Sequence, residues 1–246
     1  MTQLELFAGI GGFGLAGHWA GIETIAQVEI DDFCQKVLQK NFPNAAKYRD
    51  IKEFDGTKYR GAVDIVSGGF PCQPYSTAGK RLGKEDERHL WPEMLRVIRE
   101  VQPNWVVGEN VGGILNQGDK STLGRIKSEL EACGYGVQCF DIPGYVYGLQ
   151  TMERHIWIVA KAIGVGFKRS KKKHNGINGN KREFQGNDTR FNNRWNICDS
   201  KFCRVSERVS ARLDKHQRHR LHALGNSIVP HVAYHIFKAI IECENL

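Results

Sequence analysis

The chain lacks the features that would place it in a membrane or outside the cell. No run of apolar residues is long enough to cross a bilayer, although 41% of the 246 residues are hydrophobic. The N-terminal stretch has no basic region followed by an apolar core, so we expect no secretion signal. We therefore expect a cytoplasmic protein with no membrane partner.

The cysteines and histidines lack the spacing of a disulfide framework or a zinc site. The chain has seven cysteines, an odd number that argues against complete disulfide pairing. Cys198 and Cys203 are too far apart for a Cys-x-x-Cys pair. His216, His219 and His222 are evenly spaced, but no cysteine pair lies in a zinc-site pattern with them. We therefore expect no bound metal.

The charge of the chain is biased towards positive. Its formal net charge is +8 at pH 7. A basic balance suits a polyanionic partner such as nucleic acid, because each phosphate contact releases counterions. Many basic proteins bind no nucleic acid, so this feature does not identify a partner by itself.

Strand-like apolar runs alternate with helical patterns over the first two-thirds of the chain. The predicted strands are Leu4–Phe7, Thr24–Val28, Ala62–Val66 and Trp105–Val107. Helical spacing predicts one amphipathic helix with Leu90, Met94, Leu95, Ile98 and Val101 on its apolar face, and a terminal helix after Pro230. This alternation predicts an α/β fold with a largely parallel sheet.

The composition changes after Lys161. Residues 164–200 are rich in Gly, Asn, Lys and Arg and poor in aliphatic residues, and no internal repeat is visible. We predict one domain formed by residues 1–161 plus 208–246, interrupted by a short lobe at residues 162–207. The basic run Lys168–Lys173 in this lobe is either a phosphate-contacting surface or a solvated loop.

Ligands of open α/β sheets collect beyond the carboxyl ends of the strands. The first strand leads into Gly9-Ile10-Gly11-Gly12-Phe13-Gly14, and the second ends at Glu29, a carboxylate suited to ribose hydroxyls. Asp50 and Ile51 provide a third candidate, beside an adenine amino group. Together these residues predict a nucleoside pocket, for either a nicotinamide cofactor or S-adenosylmethionine.

The next two strand ends carry a thiol and a carboxylic acid. Cys72 lies between glycines and two prolines, and the prolines restrict the backbone around it. Glu109 follows the strand around Trp105, so the two side chains are expected in one cleft. A thiolate that adds to C6 of cytosine makes C5 nucleophilic, and a carboxyl group bonded to N3 favours that addition.

Four segments of the chain resemble motifs of one known protein family. Leu6–Gly12 resembles the first cofactor motif of the bacterial and phage cytosine-C5 DNA methyltransferases, and Gly69–Ser76 resembles their catalytic loop. Glu109–Val111 resembles their acidic motif, and Gly225–Pro230 resembles their last motif, which folds back onto the cofactor pocket. The four segments occur in the family order.

The resemblance implies a fold, a reaction and a set of site residues. The fold would be the Rossmann-like fold of S-adenosylmethionine-dependent methyltransferases, with a small target-recognition lobe. Catalysis would use Cys72 as nucleophile, Glu109 as N3 partner, Arg154, and the flanking Pro71 and Gln73. S-adenosylmethionine would be held by Phe7, Gly9, Ile10, Gly11, Gly12, Glu29, Ile30, Asp50, Ile51, Leu90 and Asn226. Double-stranded DNA would be contacted by Lys80, Arg81, Lys84 and Arg88, with the target base flipped out of the helix.

The chain departs from the family pattern in three places. The first arginine of the family's Gln-x-Arg-x-Arg motif is Met152 here, while Arg154 remains to contact the base carbonyl or a phosphate. The family's Arg-Leu-x-Gly-Phe-Pro segment is not recognisable, and Ser206–Leu213 occupies its place in a phage-like form. The recognition lobe is also short.

Several functions remain open from the sequence. The leading hypothesis is a monomeric DNA cytosine-5 methyltransferase, with or without a restriction endonuclease partner. A tRNA cytosine-5 methyltransferase is a second hypothesis, although that branch's Cys-Phe-Thr signature is missing. A DNA-binding relative with impaired catalysis is a third. A nicotinamide oxidoreductase ranks last, because it leaves Pro71-Cys72-Gln73 unexplained.

Overall fold

The computed structural model describes residues 1–71, 90–115, 122–143, 154–163 and 215–245. A seven-stranded sheet with strand order β3-β2-β1-β4-β5-β7-β6 forms the centre of this part of the chain. The strands are β1 (Thr2–Leu6), β2 (Glu23–Val28), β3 (Ala46–Tyr48), β4 (Ile65–Gly69), β5 (Trp105–Val111), β6 (Tyr135–Pro143) and β7 (Arg154–Ala162). All neighbouring pairs from β3 to β5 are parallel, and β7 runs antiparallel to both β5 and β6. The predicted α/β fold with a mostly parallel sheet is confirmed.

Helices cover both faces of the sheet. They are α1 (Gly12–Ala20), α2 (Asp32–Asn41), α3 (Trp91–Val101), α4 (Thr122–Ala132), α5 (Lys215–Gly225) and α6 (Pro230–Glu244), with 3-10 turns at Thr57–Tyr59 and Gly112–Leu115. Asp31 caps α2, because its carboxylate accepts a hydrogen bond from the Cys34 amide at 2.9 Å. Pro230 begins α6, where its fixed φ suits the first helical turn. None of the described helices is long and apolar enough to cross a bilayer.

The two faces of the sheet have separate apolar cores. Leu4 and Leu6 of β1 point into the larger core, which also contains the apolar face of α3. Phe13 of α1 and Phe237 of α6 fill the other core, where their ring centroids lie 6.2 Å apart. The C-terminal helix therefore packs against the first helix of the chain. This contact returns residues 226–230 to the glycine-rich turn.

The predicted strands and helices occur, with shifted bounds. The first strand ends at Leu6, so Phe7 lies in the turn that follows. The third predicted strand runs over Ile65–Gly69, further along than expected, and the fourth continues to Val111. Glu109 is therefore inside the last part of a strand and not beyond its end. The predicted lobe at residues 162–207 lies almost wholly outside the described residues, and its boundaries stay a prediction.

Candidate active site

The glycine-rich turn between β1 and α1 is built on left-handed backbone. Phe7, Gly9 and Gly11 have φ angles of 51°, 54° and 92°. The Gly11 amide closes the turn by donating to the Ala8 carbonyl at 2.8 Å. A Cβ atom on Gly9 would meet no heavy atom within 4 Å, whereas one on Gly11 would lie 2.4 Å from the Phe42 ring. The turn is therefore open on the side of Gly9, where a ligand can approach the backbone, and tightly packed behind Gly11.

Glu29 connects this turn to the end of β2. One carboxylate oxygen accepts a hydrogen bond from the Gly9 amide at 2.7 Å, and the other accepts from the Asp31 amide at 2.8 Å. Each carboxylate oxygen has more than one lone pair, so both can accept a further hydroxyl hydrogen. Glu29 is thus bonded to the glycine turn, and its predicted role in holding a ribose stays a prediction. The arrangement suits the two hydroxyls of a ribose.

The carboxyl group of Glu5 stabilises the glycine-rich turn from the protein interior. Glu5 is fully buried in β1 and accepts hydrogen bonds from the Phe13 amide at 3.0 Å and the Gln27 side chain at 2.6 Å. Burial raises the pKa of Glu5 from 4.5 to about 7, because a charged carboxylate is poorly solvated there. Glu5 thus holds the first turn of α1 in place without facing the ligand side.

The other predicted cofactor residues lie around the same edge of the sheet. Ile30 follows β2 and is 63% exposed, as a residue available to pack on a flat ring would be. Asp50 follows β3 and accepts a hydrogen bond from the Lys52 amide at 2.9 Å, while Ile51 is buried in the larger core. Leu90 precedes α3, and Asn226 is exposed beside His222. Ile10 and Gly12 lie in or next to the glycine turn. The cofactor roles of these residues stay predictions.

The last motif reaches both the glycine turn and β4. A Cβ atom on Gly12 would lie 2.6 Å from Ile228, and one on Gly69 would lie 3.4 Å from the same side chain. Ile228 therefore packs between the start of α1 and the end of β4. This placement agrees with the expectation that the segment Gly225–Pro230 folds back onto the cofactor side.

The ends of β4 and β5 lie side by side. Gly69 and Glu109 are register partners in this parallel pair, and Pro71 lies two residues further along the chain. The Asn110 side chain donates a hydrogen bond to the Phe70 carbonyl at 2.7 Å. Asn110 thereby fixes the backbone that leads into Cys72. The segment was predicted to lie near Glu109, and the described part of it, which ends at Pro71, does so.

Glu109 is almost buried and has an imidazole partner. Its side chain is 10% exposed, and its Oε1 lies 2.6 Å from Nδ1 of His155, whose side chain is 14% exposed. In the antiparallel β5–β7 pair, Glu109 faces Trp157 and Val111 faces His155. The two site residues are therefore diagonal neighbours on one face of the sheet.

Arg154, which was expected to contact the base carbonyl or a phosphate, does not lie beside Glu109. Because successive strand residues point to opposite faces, Arg154 lies on the other face of β7 from His155. Its guanidinium pairs with Asp141 of β6 through two contacts, one of them at 3.1 Å. The structure thus brings His155 to Glu109 and places Arg154 apart from it. The catalytic role of Arg154 stays a prediction.

Some predicted residues lie outside the described part of the chain. They are Cys72, Gln73, Lys80, Arg81, Lys84, Arg88 and Met152. Conversely, Glu5, Gln27 and His155 contribute to the site but were not predicted from the sequence. A carboxylate inside an apolar strand was the available signal for Glu5. His155 required the pairing of β5 with β7, which the sequence does not specify.

A family model described as C-5 cytosine-specific DNA methylase matches residues 1–142. The chain belongs to the C-5 cytosine-specific DNA methylase family. The matched residues contain the glycine turn, Glu29 and Glu109, and they end before β7. His155 and Arg154 therefore lie beyond the matched residues.

Curated relatives and solved structures of this family agree with that assignment. Type II methyltransferase M.Eco47II of Escherichia coli is 43% identical over 54% of this chain and 33% of its own length. Type II methyltransferase M.NgoMIV of Neisseria gonorrhoeae is 35% identical over 65% of this chain and 51% of its own length. The chain thus spans between a third and a half of the length of these relatives. A mutant of DNMT2 from Spodoptera frugiperda has a TM-score of 0.55 at 26% identity, covering 70% of this chain and 53% of that one.

Proposed function

We propose that the protein transfers a methyl group from S-adenosylmethionine to C5 of cytosine in double-stranded DNA. One observation carries the proposal: Gly69 and Glu109 are register partners. The segment that leads through Pro71 to Cys72 therefore begins beside the acid. A nucleophile and an acid at adjacent strand ends suit addition to a pyrimidine ring, whereas hydride transfer to a nicotinamide requires neither.

In this proposal Cys72 attacks the flipped-out base. The thiolate forms a bond to C6, the C5–C6 double bond opens, and Glu109 hydrogen-bonds N3 to favour the addition. S-adenosylmethionine, when bound, supplies the electrophilic methyl group. C5 bonds to that methyl group and then loses its hydrogen as a proton to solvent water. The bond between Cys72 and C6 breaks with return of its electron pair to sulfur, and the aromatic ring is restored. Pro71 and Gln73 hold the nucleophile in position.

The cofactor residues of this proposal fit S-adenosylmethionine on two observations. Open space beside Gly9 allows the ligand to approach the backbone, and the Glu29 carboxylate retains lone pairs for the ribose hydroxyls. Phe7, Ile10, Gly11 and Gly12 would complete that side of the pocket. The adenine would lie near Ile30, Asp50 and Ile51, with Leu90 and Asn226 closing the pocket.

DNA would be held by the segment after Cys72 and by the lobe at residues 162–207. Lys80, Arg81, Lys84 and Arg88 would contact phosphates, which position the duplex but do not read its sequence. The curated relatives are named as Type II methyltransferases, which supports a place in restriction-modification, with or without a restriction endonuclease as partner. We propose a cytoplasmic enzyme that acts as a monomer.

The test is covalent trapping. Fluorine at C5 cannot leave as a proton does, so a duplex containing 5-fluorocytosine should accumulate a protein–DNA adduct when S-adenosylmethionine is present. Cys72→Ser should form none. Absence of the adduct with wild-type protein, despite measured cofactor binding, would overturn the proposal. Bisulfite sequencing of plasmid from expressing cells would report the methylated site.

Two comparisons separate the alternatives. Methyl transfer to duplex DNA should exceed transfer to tRNA, and the reverse would favour the RNA methyltransferase. In calorimetry, S-adenosylmethionine should bind and NAD should not. Tight DNA binding with no methyl transfer to mixed-sequence DNA would favour an inactive relative.

A further inference from the structure

The side chains of His155 and Glu109 make a short contact in the described part of the site. The two atoms that meet are Nδ1 and Oε1, at 2.6 Å, and both side chains are largely shielded from water. A bond this short between two nearly buried polar groups strongly restricts the rotation of both. It fixes one oxygen of Glu109 and leaves the other to face elsewhere.

The second oxygen of Glu109 faces the end of β4. A Cβ atom on Gly69 would lie 3.2 Å from Oε2, so this oxygen borders the backbone that leads through Phe70 and Pro71 to Cys72. His155 and the backbone of Gly69 are therefore on opposite sides of the Glu109 carboxyl group. Each oxygen of Glu109 has its own neighbour.

This division matters because the two oxygens have different tasks. Cytosine N3 is an acceptor, so a carboxyl group that assists C6 addition must present its proton on the oxygen that faces the base. The remaining oxygen must then accept a hydrogen bond, since a buried acceptor without a partner costs stability. An imidazole with its hydrogen on Nδ1 supplies that donor.

We infer that His155 is a positioning residue for Glu109: its Nδ1–H holds Oε1 and thereby places the carboxyl proton on Oε2, towards the base. The inference rests on the proposed function. His155 touches neither substrate nor cofactor in this scheme and acts through Glu109 alone. It supplies a fixed donor to the acid from the neighbouring strand β7.

The test compares two substitutions at one position. In His155→Asn the side-chain amide occupies the place of Nδ1 and still donates, whereas His155→Leu keeps the volume and removes the donor. We expect the leucine variant to lower kcat about 30-fold or more, with KM for DNA and affinity for S-adenosylmethionine within about twofold. The asparagine variant should recover most of kcat. Equal rates for the two variants, or a leucine variant as fast as wild type, would overturn the inference.

A double-mutant cycle tests whether His155 acts through Glu109. In a Glu109→Gln background, His155→Leu should cause no further loss of rate, because the group that it positions is already gone. A full additional loss would show an independent role and contradict the inference. Thermal unfolding of each variant provides the control for folding.

Histidine ¹⁵N spectra give a measurement that needs no activity. Wild-type protein should contain an imidazole protonated at Nδ1, assigned by its absence in His155→Asn, and its signal should move in Glu109→Gln. A signal protonated only at Nε2 would overturn the inference even in an active enzyme. If wild-type protein formed no adduct with 5-fluorocytosine, the proposed function would fail, and these spectra would still decide the pairing.

Discussion

Glu29 and Glu109 both lie near the carboxyl ends of strands, but their partners differ in kind. Glu29 accepts hydrogen bonds from the backbone amides of Gly9 and Asp31, whereas Glu109 contacts the imidazole of His155. Backbone amides remain when side chains are substituted. The end proposed to bind the cofactor, hereafter the cofactor end, therefore depends on the conformation of the backbone. The end proposed to bind the base, hereafter the base end, depends instead on the contact between the side chains of Glu109 and His155. We therefore expect substitutions at the two ends to affect different properties.

The largest expected effect is at the base end. Glu109→Gln keeps the shape of the side chain but cannot release a proton to N3, so methyl transfer should fall by about 100-fold or more. The free energy of unfolding should change by about 1 kcal/mol or less, since the amide can still bond His155. Single-turnover methylation and urea unfolding measure the two quantities. A loss of stability that accounts for the loss of activity would remove the contrast between the two ends.

At the cofactor end the expected loss is in folding. Gly11→Ala forces a side chain into left-handed backbone and against Phe42, and should cost about 3 kcal/mol. Gly21→Ala is the matched control, because Gly21 has a φ angle of 78° and an added Cβ would meet no atom within 4 Å, and it should cost about 1 kcal/mol. Urea unfolding of both variants gives the difference. Equal costs would show that the packing behind the turn adds nothing to the backbone strain.

The buried carboxyl group of Glu5, which supports the glycine-rich turn, should make the stability of the protein depend on pH. The pKa of Glu5 is raised to about 7 in the folded protein, so the folded state binds more protons than the unfolded state between pH 4.5 and 7. Stability from this group is therefore full at low pH and is lost as the pH rises through 7. Between pH 5.5 and 7.5 the loss should be about 2 kcal/mol.

Glu5→Gln should flatten that pH dependence. Its amide can accept from Phe13 and donate to Gln27 Oε1, a buried oxygen that has no other partner among the described residues. Urea midpoints at the two pH values, for wild type and variant, measure the difference. The same slope in both proteins would assign the pH dependence to other groups.

The smallest effect is expected at the exposed pair of Arg154 and Asp141. The arginine side chain is 65% exposed, and surface ion pairs contribute little because water screens them. Asp141→Asn should change the free energy of unfolding by less than about 1 kcal/mol, as measured by thermal melting. A larger loss would mean that this pair, and not packing, holds the ends of β6 and β7 together.

The sequence predicts the cofactor end better than the base end. Buried parallel strands are continuous apolar runs, so β1, β2, β4 and β5 are visible as such, and the glycines mark the turn between β1 and α1. The three residues of β3 are too few to form a pattern. The side-chain network behind the turn was not predicted, because Glu5 and Gln27 meet only after β1 and β2 pair.

The partner of Glu109 at the base end could not be predicted from the sequence. It depends on the pairing of β5 with β7, which no local sequence pattern specifies. Glu109 was predicted from its place after an apolar strand, but its partner lies on β7, a strand inserted antiparallel between β5 and β6. Register decides which face His155 occupies, and a shift by one residue would replace it with Arg154. Arg154 was singled out from the sequence by its place in the family motif, and its guanidinium lies with Asp141.

The strand order also has a consequence for synthesis of the chain. β6 is made before β7 but lies outside it in the sheet, so a nascent chain that stops at Pro143 has no strand to join β6 to β5. The unpaired edge of β5 can form hydrogen bonds with strands of other chains until β7 has been synthesised and pairs with it. Arrested chains ending just before and well after β7 should therefore differ sharply in protease resistance. We expect β7, the strand that carries His155, also to protect the edge of β5 from pairing with other chains during synthesis.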